Sequence, residues 1–175
     1  YSGSLLFTHI GLSGPAAFKV SEDVYKQLQI EKLVKLRIDF IPGIKEEQLL
    51  NNINNYNPKK EVVTFIKEYL PKRLADYVVI NFENIKIGEL SKQKKQQVID
   101  NLKRYDIDII KTGSIEQSLV TGGGIDMKEI NSKTMESIIN KGVYFVGEVL
   151  DIHGHTGGYN ITLALSTGYA AGSSI

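Results

Sequence analysis

The chain has 175 residues, 42% of them apolar and 23% charged, a profile that excludes a collagen-like or disordered chain. Its 21 basic and 20 acidic residues give a net charge of +1, too balanced for a protein committed to nucleic acid. It has no cysteine, which removes disulfides, thiolate metal sites, iron–sulfur clusters and a cysteine nucleophile.

Leu5-Leu6-Phe7 is a short apolar strand, followed by the turn-rich stretch Thr8 to Pro15. Ser13 is placed to cap a helix with Pro15 in its first turn, where a missing N–H costs nothing. That helix runs through Ala16, Ala17 and Val20 and fades near Ser21. Leu33 to Phe40 alternates polar and apolar residues, which predicts a half-buried strand stopped by Pro42-Gly43. Helices are then expected over Glu46 to Ile53, from Pro58 with a stripe of Val62, Phe65, Ile66, Tyr69 and Leu70, and over Lys72 to Val79 behind Pro71. Ser91 caps a fourth, which buries Val98, Ile99 and Leu102 and ends near Tyr105. Ile107 to Lys111 is β-like, and Leu119-Val120-Thr121 leads into a triple glycine. Val143 to Val146 is an apolar strand candidate, and Tyr159 to Ser173 a helix rich in small residues. No apolar run approaches the roughly 18 residues of a membrane span. Tyr1 to Ser4 lacks the regions of a signal peptide, so a soluble cytoplasmic protein is expected.

Composition divides the chain. Five of the 16 glycines fall in residues 1–112 and 11 in residues 113–175. Residues 45–104 hold 12 Lys/Arg against 8 Asp/Glu, whereas residues 105–175 hold 4 against 8. A lysine-rich middle followed by a glycine-rich acidic end predicts two structural units.

The glycine-rich end carries the chemistry. A strand running into Gly147 and then Glu148 lets a ligand approach closely and offers a carboxylate to ribose-like hydroxyls. Gly157-Gly158 opens the last helix, whose unpaired N–H groups suit an anionic oxygen. A turn with nothing bound fits the same spacing equally well.

The run Gly142-Val143-Tyr144-Phe145-Val146-Gly147-Glu148-Val149-Leu150-Asp151, preceded by Thr134 to Ser137 and followed by Thr156-Gly157-Gly158-Tyr159-Asn160, resembles the C-terminal signature of a flavoprotein family. These are the NAD(P)/FAD-dependent oxidoreductases of the aminoacetone-oxidase-like and bile-acid reductase-like type. Leu5 to His9 with Gly11 to Ala16, Leu70 to Leu74, and Val120 to Ile125 are similar to further blocks of the family, in its order. Ser4 and Ile138 depart from it, standing where an acid and a lysine are common.

The resemblance implies an α+β fold. An insert over residues 1–118 holds a small β-barrel-like unit and a helical unit at about 45–104. Residues 119–175 would then be the C-terminal strand–helix portion of a Rossmann-like FAD-binding domain. The family's strand–Gly-x-Gly-x-x-Gly–helix unit has no counterpart here, so the chain resembles the C-terminal part of a longer enzyme. On its own it is expected to be inactive, to bind FAD weakly or not at all and to be prone to self-association. The implied cofactor-binding residues are Gly123, Gly124, Gly147, Glu148, Asp151, Gly157, Gly158, Tyr159, Asn160 and Ile161. FAD is the implied cofactor, NAD(P)H the electron donor and an unsaturated or carbonyl small molecule the substrate, with no catalytic residue assigned. The alternative is a non-catalytic interaction domain that binds a partner protein or nucleic acid.

Other constellations are weaker. His153 and His155 straddle Gly154 but lack a third ligand, so no metal site is expected. His9 faces the flavin by resemblance or serves a structural hydrogen bond. Ser13 lacks the strained turn of a serine nucleophile. Lys92, Lys94, Lys95, Lys103 and Arg104 form the dense basic cluster of the chain and read as a solvated face, with nucleic acid not expected. Tyr144 and Phe145 read as core.

Overall fold

A computed structural model describes residues 1–155 and 158–175. It comprises two compact units, Tyr1–Val34 with Ile110–Ile175, and Lys35–Ile109. The class is α+β: among the described residues there are six α-helices and two two-stranded sheets, and the sheets do not close into a barrel. No helix among them is long and apolar enough to cross a membrane.

The first unit opens with an antiparallel hairpin, β1 (Leu6–Thr8) and β2 (Gly11–Ser13), in which Leu6 faces Ser13 and Thr8 faces Gly11. The Thr8 hydroxyl accepts from the Ile10 and Gly11 amides and fixes the turn. Helix α1 (Pro15–Leu28) follows, with Gly14 as its N-cap and Pro15 in the first turn. Ser13 is therefore not the cap: it stays in β2, and the chain reverses at Gly14 instead. Nor does the helix end at Ser21. The Ser21 hydroxyl donates back to the Phe18 carbonyl within the helix, Glu22 pairs with Lys26 one turn on, and Val24 is buried.

The rest of this unit is irregular and ends in α6 (Tyr159–Gly172). Ile130, Met135, Leu150 and Ala171 form its core, with Tyr144 and Phe145 packed on it as expected. Val143 to Val146 is not a regular strand. The Val143 carbonyl accepts from the Ser137 amide at 2.8 Å and the Phe145 amide donates to Met135 at 3.1 Å. That gives one isolated bridge, Glu136 to Tyr144, and leaves Val143 and Val146 42% and 38% exposed. Without a neighbour to extend the ladder, an apolar run alone does not make a strand.

The second unit is closed by a sheet of β3 (Val34–Ile38) and β4 (Tyr105–Ile109). Both strands alternate half-buried and exposed residues, and Arg37 holds Asp106 through two bonds of 2.7 and 2.9 Å on the exposed side. Between them lie α2 (Glu46–Asn54), α3 (Val62–Ile66), α4 (Lys72–Val78) and α5 (Lys92–Lys103). Leu49, Ile53, Val62, Phe65, Ile66, Val98, Ile99 and Leu102 are all 0% exposed, so the predicted apolar stripes do converge on one core.

Two expectations need correction. Pro58 does not start a helix, because residues 58–60 form a turn closed on Asn57 and tied to residues 85–88. The Pro58 and Lys60 carbonyls accept from Gly88 and Ile87, and the Val62 amide donates to Ile85, each at 2.9 Å. The basic residues at the end of α5 are also not a solvated face. The Lys103 ammonium donates to the Ile41 and Ile44 carbonyls at 3.1 and 3.0 Å and pairs with Asp39 at 2.6 Å. Arg104 pairs with Glu46 at 2.7 Å and with Asp100. Ser91 caps α5 as predicted, accepting from the Lys94 amide at 3.2 Å.

Candidate functional site

The glycine-rich segments of the first unit converge through their own backbone. The Ile125 amide donates to the Val149 carbonyl and the Asp151 amide to the Ile125 carbonyl, both at 2.9 Å, in a parallel bridge. This sets the loop of residues 121–124 beside the 3₁₀ turn Gly147–Val149. Gly124 is obligatory at this crossing, since a Cβ there would lie 2.3 Å from the Val149 oxygen. Gly147 sits at φ 72°, buried, with its amide donating to the Thr167 hydroxyl at 3.0 Å. The Thr167 hydroxyl in turn donates to the Leu163 carbonyl at 2.8 Å, so the turn is fastened to α6.

Two carboxylates secure the loop. Glu148 Oε1 accepts from the Thr121 amide at 2.9 Å and from its hydroxyl at 3.1 Å. These bonds, the amide first, hold the Glu148 carboxyl below the usual carboxylate range. Asp151 Oδ1 accepts from the Gly123 amide at 3.1 Å. Among the described residues, neither Glu148 Oε2 nor Asp151 Oδ2 has a hydrogen-bond donor. Each acid thus commits one oxygen to the chain, and its other oxygen meets no donor among the described residues.

The start of α6 belongs to the same assembly. Asn160 accepts from the Gly154 amide at 2.8 Å and donates to the Gly154 carbonyl at 3.1 Å. Gly158 caps the helix with no atom within 4 Å of where a Cβ would sit, and Tyr159 and Ile161 are exposed. Gly123, Gly124, Gly147, Glu148, Asp151, Gly158, Tyr159, Asn160 and Ile161 are therefore carried by three linked segments. Gly157 lies outside the described residues.

Sequence reasoning missed the group beside this assembly. His153 Nε2 meets Glu22 Oε2 at 2.8 Å, and Glu22 also holds Lys26. Lys26 first, then His153, lowers the Glu22 carboxyl to about 2. Glu22 and His153 border a small cleft of about 80 Å³ with Phe18, Val120, Gly122 and His155. Nothing in a local sequence pattern joins positions 131 residues apart. Among the described residues, no three His, Asp or Glu side chains gather where a metal ion could be held. His9 stands at the exposed hairpin tip without a hydrogen bond to any described residue.

Comparison with known proteins places the chain in a family. The family described as HI0933-like protein barrel and H2TH domain matches residues 1–120. The chain is 34% identical over 177 residues to a ribosomal RNA dihydrouridine synthase of Haemophilus influenzae, covering 100% of this chain and 43% of that protein. It is 33% identical over 169 residues to the Escherichia coli protein of the same name, covering 95% and 41%. It is 30% identical over 177 residues to a 3-dehydro-bile acid delta(4,6)-reductase of Clostridium scindens, covering 98% and 43%. The chain thus spans about two fifths of the length of these relatives. It belongs to the HI0933-like family, and the family resemblance read from its motifs holds along its whole length.

Proposed function

We propose that the protein carrying this chain is a flavin-dependent oxidoreductase that saturates a carbon–carbon double bond conjugated with a carbonyl group. The observation that carries this reading is the pair of anchored acids, Glu148 and Asp151, each with one oxygen committed to the glycine loop and one without a donor. An anionic acceptor beside backbone that has no Cβ suits a polyol or ribose, and the open start of α6 suits an electron-rich ring oxygen. The residues therefore fit FAD. When bound, FAD would take hydride equivalents from NAD(P)H and pass them to the substrate.

Within that reading, Glu148 and Asp151 would accept hydroxyls of the ribityl or ribose region. The amides of Gly158 to Ile161 would face the pyrimidine edge and favour negative charge there. Gly123, Gly124 and Gly147 would keep side chains out of the way. A Rossmann-like unit with a Gly-x-Gly-x-x-Gly turn, not contained in this sequence, would hold the pyrophosphate. The substrate reading follows from the names of the relatives. Converting uridine to dihydrouridine, and reducing the delta(4,6) system of a 3-dehydro bile acid, are the same reaction on different scaffolds. We take ribosomal RNA as the substrate, from the names of the two relatives that share it.

The test uses the full-length protein. Purified protein should carry bound flavin absorbance that NADH or NADPH bleaches without oxygen. Transcribed ribosomal RNA should then restore it. Colourless protein that stays so with added FAD would refute the reading in favour of an interaction domain.

A further inference from the structure

We propose that the unit Lys35–Ile109 holds RNA by its phosphate backbone, on a basic face formed by Lys59, Lys60, Lys86, Lys92 and Lys94. The choice of RNA over a bile acid rests on the reductase reading above; the face itself rests on the geometry of this unit.

Its lysines come from three segments that the fold brings together. The backbone bonds from Gly88 to Pro58 and from Ile87 to Lys60, each 2.9 Å, lay residues 58–60 along residues 86–88. Helix α5 begins at Lys92, directly after that turn. The Lys95 ammonium donates to Asn54 at 3.1 Å, which ties the first turn of α5 to the end of α2. Residues 57–61 and 85–95 together hold six lysines against two acids, Glu61 and Glu89.

The five lysines are exposed, and none forms an ion pair among the described residues. Lys35, Arg37, Lys67, Lys103 and Arg104 of the same unit are each paired with a carboxylate, while Lys45, Lys72 and Arg73, also exposed and without an ion pair among the described residues, stand on other segments of it. Folding does not account for the unpaired set. The first turn of α5 contains no acid and carries Lys92, Lys94 and Lys95, a sign that opposes the helix dipole. Exposed ammonium groups bury no apolar surface in exchange. A polyanion supplies the missing counter-charge at all five positions.

The chemistry of the face also limits what it reads. Ammonium groups are point charges that suit phosphate oxygens, and Tyr56, the aromatic residue on the adjoining loop, is half-buried with its hydroxyl donating to Glu68 at 2.6 Å. Among the described residues this face offers no platform for stacking unpaired bases, so it positions RNA without selecting sequence.

The test is fluorescence anisotropy of the full-length protein with a 5′-fluorescein-labelled RNA hairpin, titrated from 50 to 200 mM KCl. The triple variant K60Q/K86Q/K94Q should bind more than tenfold more weakly, and its log–log salt slope should fall by about 0.7–0.9 per lysine removed. K60R/K86R/K94R should bind like wild type. K128Q/K133Q/K141Q, exposed lysines of the other unit, should leave affinity and slope unchanged. Single Lys→Glu variants at 60, 86 and 94 serve in place of the triple if it does not fold. Equal binding by the face variants and wild type, or equal loss in the control, overturns the proposal. Flavin content and its bleaching by NAD(P)H are read on the same samples. Wild-type protein that is flavin-loaded but indifferent to these lysines fails the face alone. Wild-type protein that binds RNA through them but takes no flavin fails the reductase reading alone.

Discussion

Replacing Gly124 by alanine probes the crossing on which the candidate site is built. At φ 143° the new Cβ would meet the Val149 oxygen at 2.3 Å, the Val149 carbonyl carbon at 3.0 Å and the Asp151 nitrogen at 3.1 Å. Ordinary contact begins near 3.4 Å, so the two segments must part by about 1 Å. That separation breaks the two 2.9 Å backbone bonds between Ile125 and residues 149 and 151. Each lost bond costs about 1 kcal/mol and the backbone conformation about 1–2 kcal/mol more, for a total of about 3–4 kcal/mol. For a chain of this length the melting temperature should fall by roughly 10 °C. Gly123→Ala is the internal control. It also has positive φ, 88°, but nothing lies within 4 Å of its Cβ, so it should cost only about 1 kcal/mol. Thermal unfolding followed by near-ultraviolet circular dichroism measures both, and hydrogen exchange at the Ile125 and Asp151 amides locates the damage. Equal losses in the two variants would refute the claim that the crossing, rather than glycine flexibility, is what matters.

Two further outcomes follow from buried and anchored charges. The Lys103 side chain is only 12% exposed, so Lys103→Ala strands the Ile41 and Ile44 carbonyls and the Asp39 carboxylate. Urea denaturation should show a loss of about 2–4 kcal/mol; a loss below about 0.5 kcal/mol would match a surface lysine and sink the assignment. Glu22, lowered to about 2 by Lys26 and then His153, and Glu46, lowered to about 2 by Arg104 and then Gln96, have folded values below the ordinary 4.5. Their contribution is complete above pH 4.5 and is lost as pH falls towards 2. The E22Q/E46Q variant should therefore show a shallower fall in its urea midpoint across that window, and a slope identical to wild type would contradict the pairing.

The helical unit was legible because its signals are local. The stripe Val62, Phe65, Ile66, Tyr69 and Leu70 and the cap at Ser91 are written in adjacent residues; the stripe packs on the core and Ser91 caps as predicted, although α3 itself ends at Ile66. Failures came where a distant partner decides. Pro58 carries a helix-start signal, yet Gly88 and Ile87 claim the surrounding carbonyls and hold the segment as a turn. Lys103 has the composition of a surface residue, yet the Pro42 turn folds two carbonyls over it. Val143 to Val146 has strand composition, but strand formation is a property of the neighbour as much as of the segment. For the site, the motif blocks named Glu148 and Asp151 without showing that Thr121 and Gly123 would be their first partners.

That double engagement changes what a substitution at Glu148 reports. Alanine removes both the acceptor for Thr121 and the free Oε2, so it loosens the loop and deletes the ligand contact together. Glutamine separates them. Its carbonyl oxygen can still accept from the Thr121 amide and hydroxyl, keeping residues 121–124 in place. Its amide group, standing where Oε2 stood, donates and cannot accept a ligand hydroxyl. The bonds from Thr121 hold the native carboxyl below the usual carboxylate range, so at neutral pH this position is purely an acceptor. If Glu148 binds the polyol of FAD, both variants should weaken flavin binding by the full-length protein by about tenfold or more. Glu148→Gln alone should retain wild-type exchange protection at the Thr121 amide. Flavin fluorescence titration gives the affinity and hydrogen exchange gives the loop. Normal affinity in Glu148→Gln with weakened affinity in Glu148→Ala would mean that the acid only shapes the loop and that the ligand contact is made by Asp151 or by the start of α6.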